Sequence, residues 1–168
     1  MVRPSDAIVL ATVAAGASTG AAIDLWTRRV PNPLTVLLAS SGIAFAACGI
    51  SGLSVSASLA GFFLGLLLML PGHVFGATGA GDVKFFAGMG ALIGPAHIAT
   101  AFIYTAIAGG AIAVIVSLRR RRLQQTLAGT ARLFGPPAAD ALDSPLANNR
   151  FAYAPAIAVG TTLAALGL

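Results

Sequence analysis

The chain of 168 residues is 57% hydrophobic and 9% charged, and its mean hydropathy is +0.89. These values exclude an ordinary water-soluble domain, because such a domain does not combine so many apolar residues with so few charges. Ten Lys and Arg against five Asp give a net charge of +5. In so apolar a chain this excess favours cytoplasmic loops facing anionic lipid over nucleic-acid binding. The composition therefore predicts a protein of the lipid bilayer with no nucleic-acid partner.

Apolar stretches separated by short polar or Gly/Pro-containing stretches predict an all-α bundle of six transmembrane helices in a single domain, 1–168. A helix needs about 20 apolar residues to cross a bilayer. The fourth stretch is short for this, so we expect it to tilt, to thin the bilayer locally or to be covered by its neighbours. The six segments lie at about 7–26, 33–50, 53–70, 83–93, 96–118 and 151–168.

The cationic residues favour an N-terminus on the outer side of the membrane. Six crossings then place nine of the ten Lys and Arg on the cytoplasmic side, as the positive-inside rule requires. A cleavable signal ending near Ala15 is the alternative for the first segment, and Asp6 argues against it. The polar region 123–150 is either an interfacial helix or a flexible loop. The nine inner cations are Arg28, Arg29, Lys84, Arg119, Arg120, Arg121, Arg122, Arg132 and Arg150.

Two carboxylates fall at the ends of apolar segments, at the same predicted depth. Asp24 lies near the end of the first segment and Asp82 at the start of the fourth. A charged carboxylate inside a membrane helix costs about 2.5 to 3.5 kcal/mol at the centre, so such a residue needs a reason. Two carboxylates that approach closely cannot both ionise, and the pair can then activate water and hydrogen-bond an oxyanion. This arrangement predicts aspartic hydrolysis without a metal or another cofactor.

Structural alternatives exist for both acids. Asp24 has Arg28 four residues further on, which would allow an ion pair on one helix face. Asp82 could cap the helix that it begins. Gly79 and Gly81 fit neither alternative well, since they bare the backbone beside Asp82 and would permit close approach of an extended substrate.

The residues around the two acids resemble the type IV prepilin peptidase family. Asp24 followed by Pro31-Asn32 is similar to its first signature, and Gly79-Ala80-Gly81-Asp82 is similar to its GxGD motif. The resemblance continues to the start of the last segment, from Tyr153 to Ala158, although Ala152 stands where the family pattern has proline. It is strongest to the short form that accompanies tight-adherence (Flp-type) pili.

The resemblance implies an endopeptidase of the bacterial inner membrane that removes the basic leader of membrane-inserted prepilins at the cytoplasmic face. Asp24 and Asp82 would be catalytic. Substrate contact or loop shaping would fall to Gly79, Gly81, Lys84, Arg29, Pro31 and Asn32. For Lys84, the alternatives are membrane anchoring and an influence on the ionisation of Asp82.

Two other functions remain open at this point. One is a different GxGD intramembrane protease, such as the signal peptide peptidase type, for which Tyr would be expected before the first aspartate, where this chain has Ile23. The other is a membrane transport or assembly protein without enzymatic activity. The pilin substrate and the oligomeric state are not specified by the sequence.

Overall fold

The computed structural model describes the backbone of residues 4–119 and 153–167, and side chains within 6–115 and 153–167. Over these ranges the chain is all-α, as predicted. The region 123–150 and the cations from 120 to 150 lie outside the described residues. The helices are α1 (Pro4–Thr27), α2 (Asn32–Ala47), α3 (Val55–Val74), α4 (Ala80–Arg119) and α5 (Ala154–Ala165).

The prediction of six helices was wrong, since the described ranges contain five. Predicted segments four and five form the single element α4, which is interrupted at Gly94. Gly94 has φ 78° and ψ 176°, a conformation that glycine adopts at little cost. Pro95 then begins the second helical stretch with a fixed φ and no N–H to satisfy. The break thus lies at the expected Gly94-Pro95 position but takes one residue rather than two.

The two halves of α4 run back along each other. The rings of Phe86 and Phe102 meet edge to face with their centroids 6.2 Å apart. Sixteen residues of uninterrupted helix would separate these positions by about 24 Å. A Cβ at Gly90 would lie 3.2 Å from Cγ1 of Ile98, which also requires reversal at Gly94. The element is therefore a helical hairpin.

The first half of α4, residues 80–93, is the centre of the bundle. From Phe85 to Leu92 every residue is buried, so its neighbours cover it on all sides. Residues 80–93 would span only about 21 Å of helix, less than the hydrocarbon core. Of the three expectations for this short segment, cover by its neighbours is the one found.

The surrounding helices contact this centre through narrow stripes of small residues. On α3 the stripe includes Gly61, where an added Cβ would overlap the carbonyl oxygen of Gly90. On α2, a Cβ at Gly42 would lie 2.5 Å from the carbonyl carbon of Ala91. Small residues allow such backbone approach in lipid, where packing and hydrogen bonds drive association. The buried stripe of α1 comprises Val13, Gly16, Ala17, Gly20 and Asp24.

Large apolar side chains cover the outside of the bundle. Trp26 is 88% exposed and Val36 65%, a pattern suited to lipid rather than water. By length and composition, three helical stretches could cross a membrane: Asp6–Thr27, Val55–Val74 and Ala80–Ile115, the last of which folds back on itself at Gly94. Asn32–Ala47 and Ala154–Ala165 are shorter apolar helices. α3 also passes the predicted stop at Pro71, because a proline in the last turn removes only one of the final hydrogen bonds.

Candidate functional site

The end of α1 places Asp24 inside the bundle. Asp24 continues the buried stripe of that helix and is 3% exposed. The helix stops a turn later because Arg28 takes φ 53°, after its N–H has bonded the carbonyl of Asp24 at 2.8 Å. The Thr27 hydroxyl reinforces the turn by donating to the carbonyl of Arg29 at 2.9 Å. The carboxylate of Asp24 accepts a hydrogen bond from the backbone N–H of Ala154 at 3.2 Å, and the Arg28 side chain is exposed.

Asp82 lies in the first turn of α4 and is also buried. Gly79 precedes the helix, and its N–H donates to Oδ2 of Asp82 at 3.1 Å. The carboxylate therefore caps the helix from its third residue, in the manner of the acid in a capping box. This bond engages one carboxylate oxygen, and Asp82 is 7% exposed. Asp82 thus caps α4, as the structural alternative proposed, but from the third residue of the helix. Its other carboxylate oxygen is left for a second role.

The carboxylates of Asp24 and Asp82 lie within reach of each other's charge. Both belong to the buried polar minority of a bundle whose core is otherwise apolar. Two negative charges in such surroundings repel each other strongly, so the pair is expected to hold one proton between its two members. A carboxylic acid and a carboxylate side by side can donate to one oxygen of a substrate and accept a proton from water.

The loop between α1 and α2 is fastened to the start of α4. Val30 is buried, and a Cβ at Gly81 would lie 3.1 Å from its carbonyl oxygen. Lys84 donates to Oδ1 of Asn32 at 3.2 Å, with both side chains exposed. Val30 thus fills the space beside the backbone of Gly81, and this contact helps to shape the loop. Lys84 bonds neither carboxylate in this arrangement.

The remaining predicted residues lie around this junction. Pro31 precedes α2 in an extended conformation and accepts from the N–H of Leu34 at 3.2 Å. Arg29 is exposed on the same loop. A Cβ at Gly79 would lie 3.1 Å from Oδ2 of Asp82, so the carboxylate fills the space next to this glycine.

Sequence reasoning did not identify a third contributor to the site, the entry to α5. Ala154 donates its N–H to Asp24, and the ring of Tyr153 packs on Gly109 in the second half of α4. A backbone donor has no signature in residue type, so only the similarity of residues 153–158 to the family pattern pointed here.

Within the described residues, no group of three or more His, Cys, Asp and Glu side chains could hold a metal ion. The polar groups at the site are two carboxylates and the N–H groups of Gly79 and Ala154, and the ring of Tyr153 lies next to Ala154 in the chain. Such a set suits acid–base chemistry on a neutral, hydrogen-bonding substrate such as a peptide.

Comparison with known proteins gives one positive result. Residues 10–114 match the model of the type IV leader peptidase family. The matched range contains both aspartates and ends before α5. None of the curated proteins and none of the solved structures matches the chain.

Proposed function

The chain belongs to the type IV leader peptidase family, and on that premise we propose that it is an aspartic endopeptidase with Asp24 and Asp82 as its catalytic pair. Its substrate is a prepilin of the Flp type, a membrane-inserted helix preceded by a short basic leader. The site works at the cytoplasmic face of the bacterial inner membrane. The proposal is supported by two buried carboxylates, from α1 and α4, that are near enough for the charge of one to act on the other, in a chain of this family.

The reaction follows from the shared proton. The ionised carboxylate removes a proton from water as the water oxygen attacks the scissile carbonyl carbon, while the protonated carboxyl donates to the developing oxyanion. When the intermediate collapses, the carbon–nitrogen bond breaks and the leaving nitrogen takes up the proton first removed from water. The products are a carboxyl terminus on the leader and a free amine on the pilin. The two aspartates alone supply this acid and base.

The fold supports a substrate that is itself a membrane helix. Both acids lie at one end of an apolar bundle, beside the exposed loop that carries Arg29. A peptide bond just outside a lipid-embedded helix would stand at this level of the membrane. The Arg29 guanidinium has the same sign as a basic leader, so repulsion favours lipid phosphate as its partner.

The test is cleavage of a Flp-type prepilin by the purified protein in lipid vesicles, followed by mass spectrometry of the new N-terminus. Asp24→Asn and Asp82→Asn keep the side-chain shape and remove the acid, and each should lower the rate by at least about 100-fold. Asp6→Asn is the matched control, because Asp6 lies about 27 Å from Asp24, at the opposite end of α1. Its rate should equal that of the wild type.

Three outcomes would contradict the proposal. Retained cleavage in either Asn variant would remove that aspartate from the chemistry. Cleavage within the apolar helix rather than at the leader junction would indicate a different intramembrane protease. Absence of cleavage by the wild type across several Flp-type prepilins would favour a membrane protein without peptidase activity.

A further inference from the structure

The short segment that leads into α5 contacts both Asp24 and the second half of α4. Ala154 is fully buried, and its N–H lies 3.2 Å from Oδ2 of Asp24. This hydrogen bond joins residues 130 positions apart in the chain. The partner of the carboxylate is therefore supplied by tertiary structure and depends on how α5 is seated.

α5 packs against the second half of α4 through close contacts at glycines on both helices. A Cβ at Gly160 would overlap the hydroxyl of Thr105, and one at Gly109 would lie 2.8 Å from Cε2 and 3.0 Å from the hydroxyl oxygen of Tyr153. The order of these contacts shows that α5 runs antiparallel to the second half of α4. Tyr153 thus occupies the end of this interface next to Asp24, which accepts a hydrogen bond from the following residue, Ala154.

We propose that Tyr153 is a positioning residue of the catalytic site: its ring, seated on Gly109, fixes the entry of α5 so that the backbone N–H of Ala154 holds the carboxylate of Asp24. The inference rests on the proposed peptidase function and extends it to a part of the chain beyond the family match at 10–114. Asp24 would then be oriented by α5 in the way that Asp82 is oriented by Gly79. Asp82 is held by the start of its own helix, whereas Asp24 is held by a different helix, α5.

The two adjacent glycines of α4 provide a matched pair of variants. Gly109→Ala brings a methyl group into the Tyr153 ring, which can swing aside at small cost because the contact is with the outer end of the side chain. Gly110→Ala meets nothing within 4 Å. Both changes add the same methyl group to the same helical stretch, so they differ only in whether Tyr153 moves.

The experiment measures prepilin cleavage by both variants over a range of pH. We expect the rate of Gly109→Ala to fall at least tenfold and its pH–rate profile to move, because a hydrogen-bond donor favours one protonation state of a carboxylate. Gly110→Ala should match the wild type in rate and profile. A purely structural defect would scale the profile down without moving it, and that result, or equal rates for the two variants, would overturn the proposal.

A second measurement needs no activity. In a Cys48→Ser background, which removes the only cysteine of the chain, Asp24→Cys with Ala154→Cys should form a disulfide on mild oxidation. Asp24→Cys with Leu166→Cys, at the far end of α5, should not. Introducing Gly109→Ala should reduce the first cross-link at least severalfold, whereas unchanged cross-linking would refute the positioning role. If the wild type cleaves no prepilin yet this pattern is found, the proposed function fails while the arrangement of α5 stands.

Discussion

Replacing Gly61 with Ala tests the packing that brings the two halves of the site together. The new Cβ would overlap the carbonyl oxygen of Gly90 and lie 2.9 Å from the Cα and carbonyl carbon of Gly94. Ordinary contacts are 3.4 Å or longer, and these neighbours are backbone atoms that cannot rotate away. α3 must therefore move outward from the centre of the bundle.

The magnitude follows from two opposing effects. Overpacking of a close interface costs about 1–3 kcal/mol, and the separation needed here places this case at the upper end. Ala gains about 0.5–1 kcal/mol over Gly from backbone entropy in a helix. The net expectation is a loss of about 2 kcal/mol, which lowers the folded-to-unfolded ratio about 30-fold. The new methyl group of Gly110→Ala meets nothing within 4 Å, so this change keeps only the gain in backbone entropy. The two changes should therefore alter the free energy of unfolding in opposite directions.

The assay is reversible unfolding in mixed detergent micelles, with helicity as the readout and the wild type alongside. Gly61→Ala should unfold at a lower denaturant fraction than the wild type and Gly110→Ala at the same or a higher one. Should Gly61→Ala prove as stable as Gly110→Ala, the reasoning from backbone approach between α3 and α4 would be refuted.

Two hydrogen bonds predict effects of different size in the same assay. Ser58 donates to the carbonyl of Ala91 at 2.8 Å in the buried interface, so Ser58→Ala should lower the free energy of unfolding by about 0.6–1.7 kcal/mol. Ser40→Ala removes an exposed bond within α2 and should lower it by less than half as much. Equal losses would contradict the argument from burial. Lys84 donates to Asn32 at an exposed position, so Lys84→Met should cost at most about 1.5 kcal/mol. A larger loss would show that the bond is more than a surface contact.

Sequence reasoning located the two aspartates because an ionisable group at the end of an apolar segment is costly and therefore conspicuous. It also located the break at Gly94-Pro95 and the separate helical stretches on either side. It placed two residues, Gly94 and Pro95, between these stretches, whereas only Gly94 departs from helical geometry. The two stretches therefore form one element, and the count of six helices was wrong for this reason.

The partners of the glycines could not be predicted from the sequence either. Gly81 and Gly61 are both glycines in or beside a helix, yet one accommodates the loop at Val30 and the other the backbone of α4. Nothing in their sequence surroundings distinguishes these partners from a substrate strand. The N–H of Ala154 was equally hidden, because every residue except proline has one. Such features arise from tertiary packing and need coordinates.

The central claim is that α1 and α4 bring Asp24 and Asp82 into one site. It can be tested by placing Cys at both positions in the Cys48→Ser background and treating vesicle-embedded protein with a short bifunctional thiol reagent. The account predicts efficient cross-linking of this pair and none between Asp6→Cys and Asp82→Cys. Absence of a 24–82 cross-link, in protein whose cysteines both react with a monofunctional reagent, would contradict it.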